Sequence, residues 1–159
     1  MKKERKLKKK REELSETEKK AIDILEKRLK LKLNIIPMIK CNSLGVMIED
    51  GKVTGLSLYM CDLIKIPEEI EYFKSLKKLN LSWNHIQEVP EFMFSFSSLK
   101  IIDLIGNNLK HISPSIYKLK NLEELDLSFN NLRNIPDTIT NLKSLRVLNL
   151  IHNKLLEIP

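Results

Sequence analysis

From residue 53 onward, apolar and polar positions return with a period of 23 residues. Segments starting at Val53, Leu76, Leu99, Leu122 and Leu145 align without a gap. The fourth position reads Leu56, Leu79, Ile102, Leu125 and Leu148, and the sixth reads Leu58, Leu81, Leu104, Leu127 and Leu150. The ninth reads Cys61, Asn84, Asn107, Asn130 and Asn153, the eleventh Leu63, Ile86, Leu109, Leu132 and Leu155, and the fourteenth Ile66, Val89, Ile112, Ile135 and Ile158. Proline follows at Pro67, Pro90, Pro136 and Pro159, with Ser113 in the third copy. Two later columns, Ile70/Met93/Ile116/Ile139 and Phe73/Phe96/Leu119/Leu142, complete the apolar set.

Each column has a physical role. Positions four and six lie two apart, so they share one face of a short strand. The ninth-position amide can bond the backbone of a sharp bend that ends the strand. The residue before proline is pushed out of the helical region, which sets an extended corner. The remaining residues cross the outer side and return the chain. Seven apolar side chains per repeat contribute roughly 10–20 kcal/mol when buried. Ordering a 23-residue repeat costs about 1.5 kcal/mol per residue, so no repeat folds alone. Neighbours must share the burial, which predicts a stack.

The run Leu79-x-Leu81-x-x-Asn84-x-Ile86-x-x-Val89-Pro90 resembles a leucine-rich repeat. The 23-residue period with its Ile-Pro corner resembles the intracellular Ras-group branch of that family. The resemblance covers residues 53–159 in five copies, the last incomplete. It implies an α/β fold: a leucine-rich repeat solenoid, curved and right-handed, with a parallel sheet on its concave face. It also implies a protein-binding surface, and Cys61 is a substitution the family uses in the asparagine column.

A different rhythm precedes the repeats. Ser15-Glu16-Thr17-Glu18 has the form of a capping box. Ala21, Ile22, Leu25 and Leu29 follow at helical spacing, so a helix is expected over residues 16–30. Asn34 to Cys41 reads as a loop around Pro37. Leu44 to Glu49, Asp50-Gly51 and Lys52 to Leu58 read as a hairpin with a two-residue turn. The expected division is a basic tail over 1–14, an N-terminal cap of helix and β-hairpin over 15–52, and repeats over 53–159.

The formal net charge of +7 changes the picture only at the N-terminus. Residues 1–11 hold eight of the 28 bases and one of the 21 acids, so the remainder is balanced. That argues against a basic groove for nucleic acid in the folded body. It leaves an alternative in which the tail meets an anionic membrane or nucleic-acid surface. No apolar stretch follows the N-terminal bases, so a cytoplasmic protein is expected. The four glycines do not cluster into a phosphate loop, and His85, His111 and His152 fall in different columns. No catalytic set, cofactor site or metal site is expected, and Asn80-Leu81-Ser82 reads as a chance glycosylation pattern.

Candidate chemistry is confined to side chains turned away from the core. Position three reads Gly55, Lys78, Ile101, Glu124, Val147, and position five Ser57, Asn80, Asp103, Asp126, Asn149. Position seven reads Tyr59, Ser82, Ile105, Ser128, Ile151, and position eight Met60, Trp83, Gly106, Phe129, His152. Aromatics beside polar columns have the composition of an interface centre. The expected partner-binding residues are Tyr59, Lys78, Asn80, Trp83, Asp103, Ile105, Glu124, Asp126 and Phe129, with another protein as partner. Self-association through the fifth repeat is a further expectation, because Leu148, Leu150, Leu155 and Ile158 would line a stack end.

Overall fold

A computed structural model of the chain describes residues 9–159. Helix α1 (Glu16–Leu29) precedes a six-stranded sheet: β1 (Leu44–Glu49), β2 (Lys52–Leu58), β3 (Lys78–Asn80), β4 (Ile101–Asp103), β5 (Glu124–Asp126) and β6 (Val147–Asn149). Strand order follows the sequence. β1 pairs antiparallel with β2, and every later pair is parallel. The sheet register is the repeat register, since Leu56, Leu79, Ile102, Leu125 and Leu148 sit side by side. The chain is therefore a solenoid of stacked repeats, the architecture that the resemblance implies.

Short 3-10 helices return the chain between strands: η1 (Glu68–Tyr72), η2 (Glu91–Ser95), η3 (Pro114–Lys118) and η4 (Asp137–Asn141). Pro67, Pro90, Ser113 and Pro136 precede them in extended conformation, with ψ between 133° and 152°. Where Ser113 replaces proline, its hydroxyl accepts the Ser115 N–H at 3.1 Å, a side-chain cap in place of a fixed φ. The apolar columns meet in one continuous core from Leu14 to Leu142.

The cap closes the first end. Ser15 caps α1 by accepting the Glu18 N–H, and the Glu18 carboxylate reaches on to accept the Val53 N–H at 3.0 Å. One capping box thus ties the helix to the first repeat. Arg28 of α1 pairs with Glu69 of η1 at 2.7 Å. The hairpin turns through Asp50 (φ 48°) and Gly51 (φ 66°), the left-handed pair that a two-residue turn requires.

Three details depart from the sequence reading. The helix ends at Leu29, because Lys30 takes the left-handed cap conformation with φ 54°. Residues 9–14, placed in the tail from sequence, pack with the cap: Leu14 is buried, Lys10 donates to the Ile48 carbonyl, and Arg11 forks between Asp23 and Glu26. The rest of the expected tail, residues 1–8, lies outside the described residues. Strands β3 to β6 span only positions three to five, so position six, placed on the same strand from sequence, falls just past the strand's end, where the chain bends.

The bend is where consecutive repeats are joined. Asn84 accepts the Cys61 and Leu63 N–H groups at 3.0 Å and donates to the Leu58, Leu81 and Ser82 carbonyls. Asn107 accepts from Ile86 and donates to Leu81, Leu104 and Ile105. Asn130 does the same for Leu109, Leu104, Leu127 and Ser128. Asn153 completes the series with Leu132, Leu127 and Leu150. Each of these amides bonds its own turn and the turn before it. Cys61 is the sensible exception, since no repeat precedes it. We expect Asn107→Ala to cost about 1–3 kcal/mol by orphaning buried backbone groups, and Leu127→Ala about 2–5 kcal/mol by opening a cavity. Denaturant midpoints of the two variants check both values.

Candidate interaction face

The sheet face opposite the core carries positions three, five, seven and eight, and the structure gives each column a different role. Position five builds the bend. Its side-chain oxygen accepts the N–H two residues on: Asn80 from Ser82, Asp103 from Ile105, Asp126 from Ser128 and Asn149 from Ile151. This is the local bond that makes Asn and Asp turn formers. Asp126 also accepts the Ser128 hydroxyl and the Asn149 amide. Sequence reading assigned this column to a partner and missed its structural use. The recurrence of Asx residues ahead of the bends of repeats two to five is the available signal.

Position eight holds a ladder of side chains on the left-handed bend. Met60, Trp83, Phe129 and His152 all have φ between 51° and 56°, and Gly106 has φ 63°. Their N–H groups bond the next repeat: Met60 to the Ser82 carbonyl, Trp83 to Ile105, Gly106 to Ser128 and Phe129 to Ile151. A left-handed non-glycine residue is disfavoured, and here the repeat-to-repeat bonds over-determine it. The conformation turns each side chain outward. Trp83 is 50% exposed and Phe129 47%. Their rings lie 6.0 Å apart although a whole repeat separates them, because the indole leans across Gly106. A Cβ at Gly106 would sit 2.7 Å from Trp83 Cε3. His152 continues the ladder, 4.3 Å from Phe129.

The segment before β1 covers the cap end of the same face. Ile36 N–H donates to the Val46 carbonyl and Val46 N–H to that of Asn34, both at 2.8 Å. The Asn80 amide donates to the carbonyls of Lys40 and Cys41 at 3.2 Å. Asn80 is buried and its amide is occupied, so it is not the exposed partner contact that the sequence suggested. Its burial also leaves no room for a glycan on the Asn80-Leu81-Ser82 pattern. Tyr59 and Lys78 are half-buried, and Lys78 lies beside this strap. Between strap and sheet lies a cleft of about 310 Å³ lined by Ile39, Lys78, Ile101, Asp103 and Glu124. Asp103, Ile105 and Asp126 are half-buried, while Trp83, Glu124 and Phe129 are exposed. Of the nine expected contacts, the structure gathers Trp83, Asp103, Ile105, Glu124, Asp126 and Phe129 on repeats two to four and draws Tyr59, Lys78 and Asn80 toward the cap.

Among the described residues no group of His, Cys, Asp and Glu gathers as metal ligands. His85 lies 3.8 Å from Asp62, and both side chains are solvent-exposed. Cys41 is exposed and Cys61 half-buried, both as free thiols. Burial, helped by Asp62, pushes the Cys61 thiol up to about 11.

A family description for the leucine rich repeat matches residues 74–132 and 115–155, together more than half of the chain. The chain belongs to the leucine-rich repeat family. Among solved structures it is similar to the ectodomain of the receptor kinase SOBIR1 from Arabidopsis thaliana, at 28% identity and a TM-score of 0.69, covering 89% of this chain and 82% of that one. The BIR2 ectodomain from the same plant is 32% identical with a TM-score of 0.64, over 72% of this chain and 64% of that one. A leucine-rich repeat protein of Leptospira interrogans is 28% identical with a TM-score of 0.57, over 65% of this chain but only 32% of its own length. No curated protein matches the chain.

Electrostatics single out one residue of this leucine-rich repeat face. Burial raises the Asp103 carboxyl to about 6, and neighbouring Asp126 adds to the effect, against the bond from the Ile105 N–H. The ordinary value is 3.8, so the folded state binds this proton more tightly than the unfolded chain. The contribution to stability is complete below the ordinary value. It is lost as pH rises from there through the folded value, after which ionised Asp103 is a net cost. Asp103→Asn keeps an oxygen for the Ile105 N–H, as Asn80 and Asn149 do at the equivalent positions. We expect this variant to melt higher than the wild type at pH 7.5, with the difference vanishing at pH 4; thermal melts at the two pH values check the sign.

Proposed function

We propose that the chain is a non-enzymatic protein-interaction module that holds its partner on the concave sheet face of repeats two to four. The observation that carries this reading is the exposed ladder of Trp83 and Phe129, which no packing requirement of the stack explains. Exposed aromatics on a rigid support have the composition of interface hot spots. The fold supports it too: one similar structure is a complex of two proteins, BIR3 and SERK2. A recognition role in an intracellular signalling assembly, as in the Ras-group branch, fits the 23-residue period and the two free thiols. The anionic-surface alternative rests on the N-terminal bases; the described body contributes Lys10 and Arg11 to internal bonds instead. Self-association is a separate proposal for the fifth repeat. β6 bonds to β5 on one side, and Ile151, Leu156 and Ile158 are exposed beside it.

The test is a cross-linking pull-down with the wild type, Trp83→Ala/Phe129→Ala and a deletion of residues 1–8. We expect the aromatic double variant to lose the partner by about tenfold or more while keeping its melting temperature within a few degrees, and the deletion to retain it. Loss in the deletion with retention in the aromatic variant replaces this reading with the tail alternative.

A further inference from the structure

Size and charge together narrow the kind of partner, if the concave face is the site proposed above. Three-residue strands spaced about 4.8 Å apart give a face well under the roughly 800 Å² that a standard interface takes from each partner. The strap removes part of it, since Asn80 is spent on the Lys40 and Cys41 carbonyls. What remains is a narrow track of three-residue strands and the bends that follow them. Such a track fits an extended segment better than a folded domain.

The track has a charge sign. On repeats three and four the outward ionisable side chains are Asp103, Glu124 and Asp126, and among the described residues none of the three is paired with a base. Lys78 lies one repeat nearer the cap, on the same side as Lys40 of the strap. The aromatic ladder runs along the other side, from Trp83 across Gly106 to Phe129. An aromatic face beside uncompensated carboxylates is complementary to a side chain that is flat, apolar along its stem and positively charged. Arginine meets all three conditions, and lysine two of them.

We infer that this face recognises a short extended segment of a partner protein bearing arginine or lysine, its basic side chains lying against Trp83 and Phe129 on one side of the track and against Glu124 and Asp126 on the other. Gly106 is the residue that makes the platform. Without a side chain there, the indole lies down toward Phe129 rather than standing away from it. Asp103 supports the inference through its neighbour: burial and then the charge of Asp126 raise its proton affinity, and a cation drawn to Asp126 offsets the second of these.

The experiment uses the full chain and a random peptide library displayed on phage. Trp83 is the sole tryptophan, so its emission reports directly on occupancy of the ladder. Two variants sort the outcomes: Trp83→Ala/Phe129→Ala, and Glu124→Gln/Asp126→Asn, the latter keeping an oxygen for the Ser128 N–H. The expected result is that selected peptides are enriched in arginine or lysine and shift Trp83 emission. They should weaken roughly tenfold on either double variant, or when their basic residue becomes glutamate, and should weaken further as salt rises. Peptides that need the aromatic pair but show no basic enrichment, or bind the amide variant equally well, overturn the inference and leave the concave-face reading standing. Peptides indifferent to both variants, or a library that yields no binder, overturn both.

Discussion

The hydrogen bonds of the buried asparagine column hold the stack in one register. Asn84, Asn107, Asn130 and Asn153 each span from their own bend to the bend 23 residues earlier. The bend leaves backbone N–H and C=O groups pointing inward, where water cannot reach them. Leaving such groups unpaired costs about 1–3 kcal/mol each. A primary amide is the one neutral side chain that supplies both an acceptor and two donors at that reach. Hydrophobic burial supplies most of the driving force, but it is non-directional and would tolerate a slipped stack. The amide does not tolerate one, because a shift leaves both its own groups and the backbone's unsatisfied. Register in the sheet, Leu56 beside Leu79 beside Ile102, follows from this constraint.

Much of this was legible before any coordinates, and the reason is repetition. A column that recurs every 23 residues averages out chance, so Leu81 or Asn107 can be assigned a role with no knowledge of its neighbours. The Ser15 cap and the Asp50-Gly51 turn were readable for a different reason: each bond they need lies within a few residues, whereas the second half of the capping box is non-local, since the Glu18 carboxylate reaches the Val53 N–H. What was illegible is non-local and non-repeating. Nothing in Lys40-Cys41 announces that its carbonyls will accept the Asn80 amide across the sheet. Nothing in the run of N-terminal bases marks Lys10 and Arg11 as different from those before them, although Arg11 ends on Glu26. Position five is legible in only one of its uses, because Asp and Asn serve both bends and open faces and the sequence alone does not separate the two.

Glu26 shows how the cap resolves a comparable conflict. Burial works against its ionisation, but bonds from Arg11, Lys32 and the Leu33 N–H outweigh burial and hold its carboxyl below the usual range. Asp103 sits in the opposite balance, with one backbone bond and a neighbouring carboxylate. The cap carboxylate is saturated with donors, whereas the face carboxylate is short of them. A buried charge fully surrounded by partners is a structural feature. One left short of partners on an open face is where an additional group can bind with gain.

That contrast divides the face into parts that can vary and parts that cannot. Position five must keep an oxygen acceptor, because Ser82, Ile105, Ser128 and Ile151 each present it with an N–H. It can exchange Asn for Asp, changing charge without changing the bend. Position eight must take the left-handed conformation, but its side chain is unconstrained by the core, as Met60, Trp83, Gly106, Phe129 and His152 demonstrate. Charge in one column and aromatic character in the other therefore vary without changing the backbone that carries them. Position eight is thereby relieved of packing in the stack, whereas position five serves the bend and the open face at once, although the two lie only three residues apart. The two columns differ from repeat to repeat, an acid at Asp126 beside an aromatic at Phe129 where the second repeat has the buried amide of Asn80 beside Trp83, so no single position defines the character of the face.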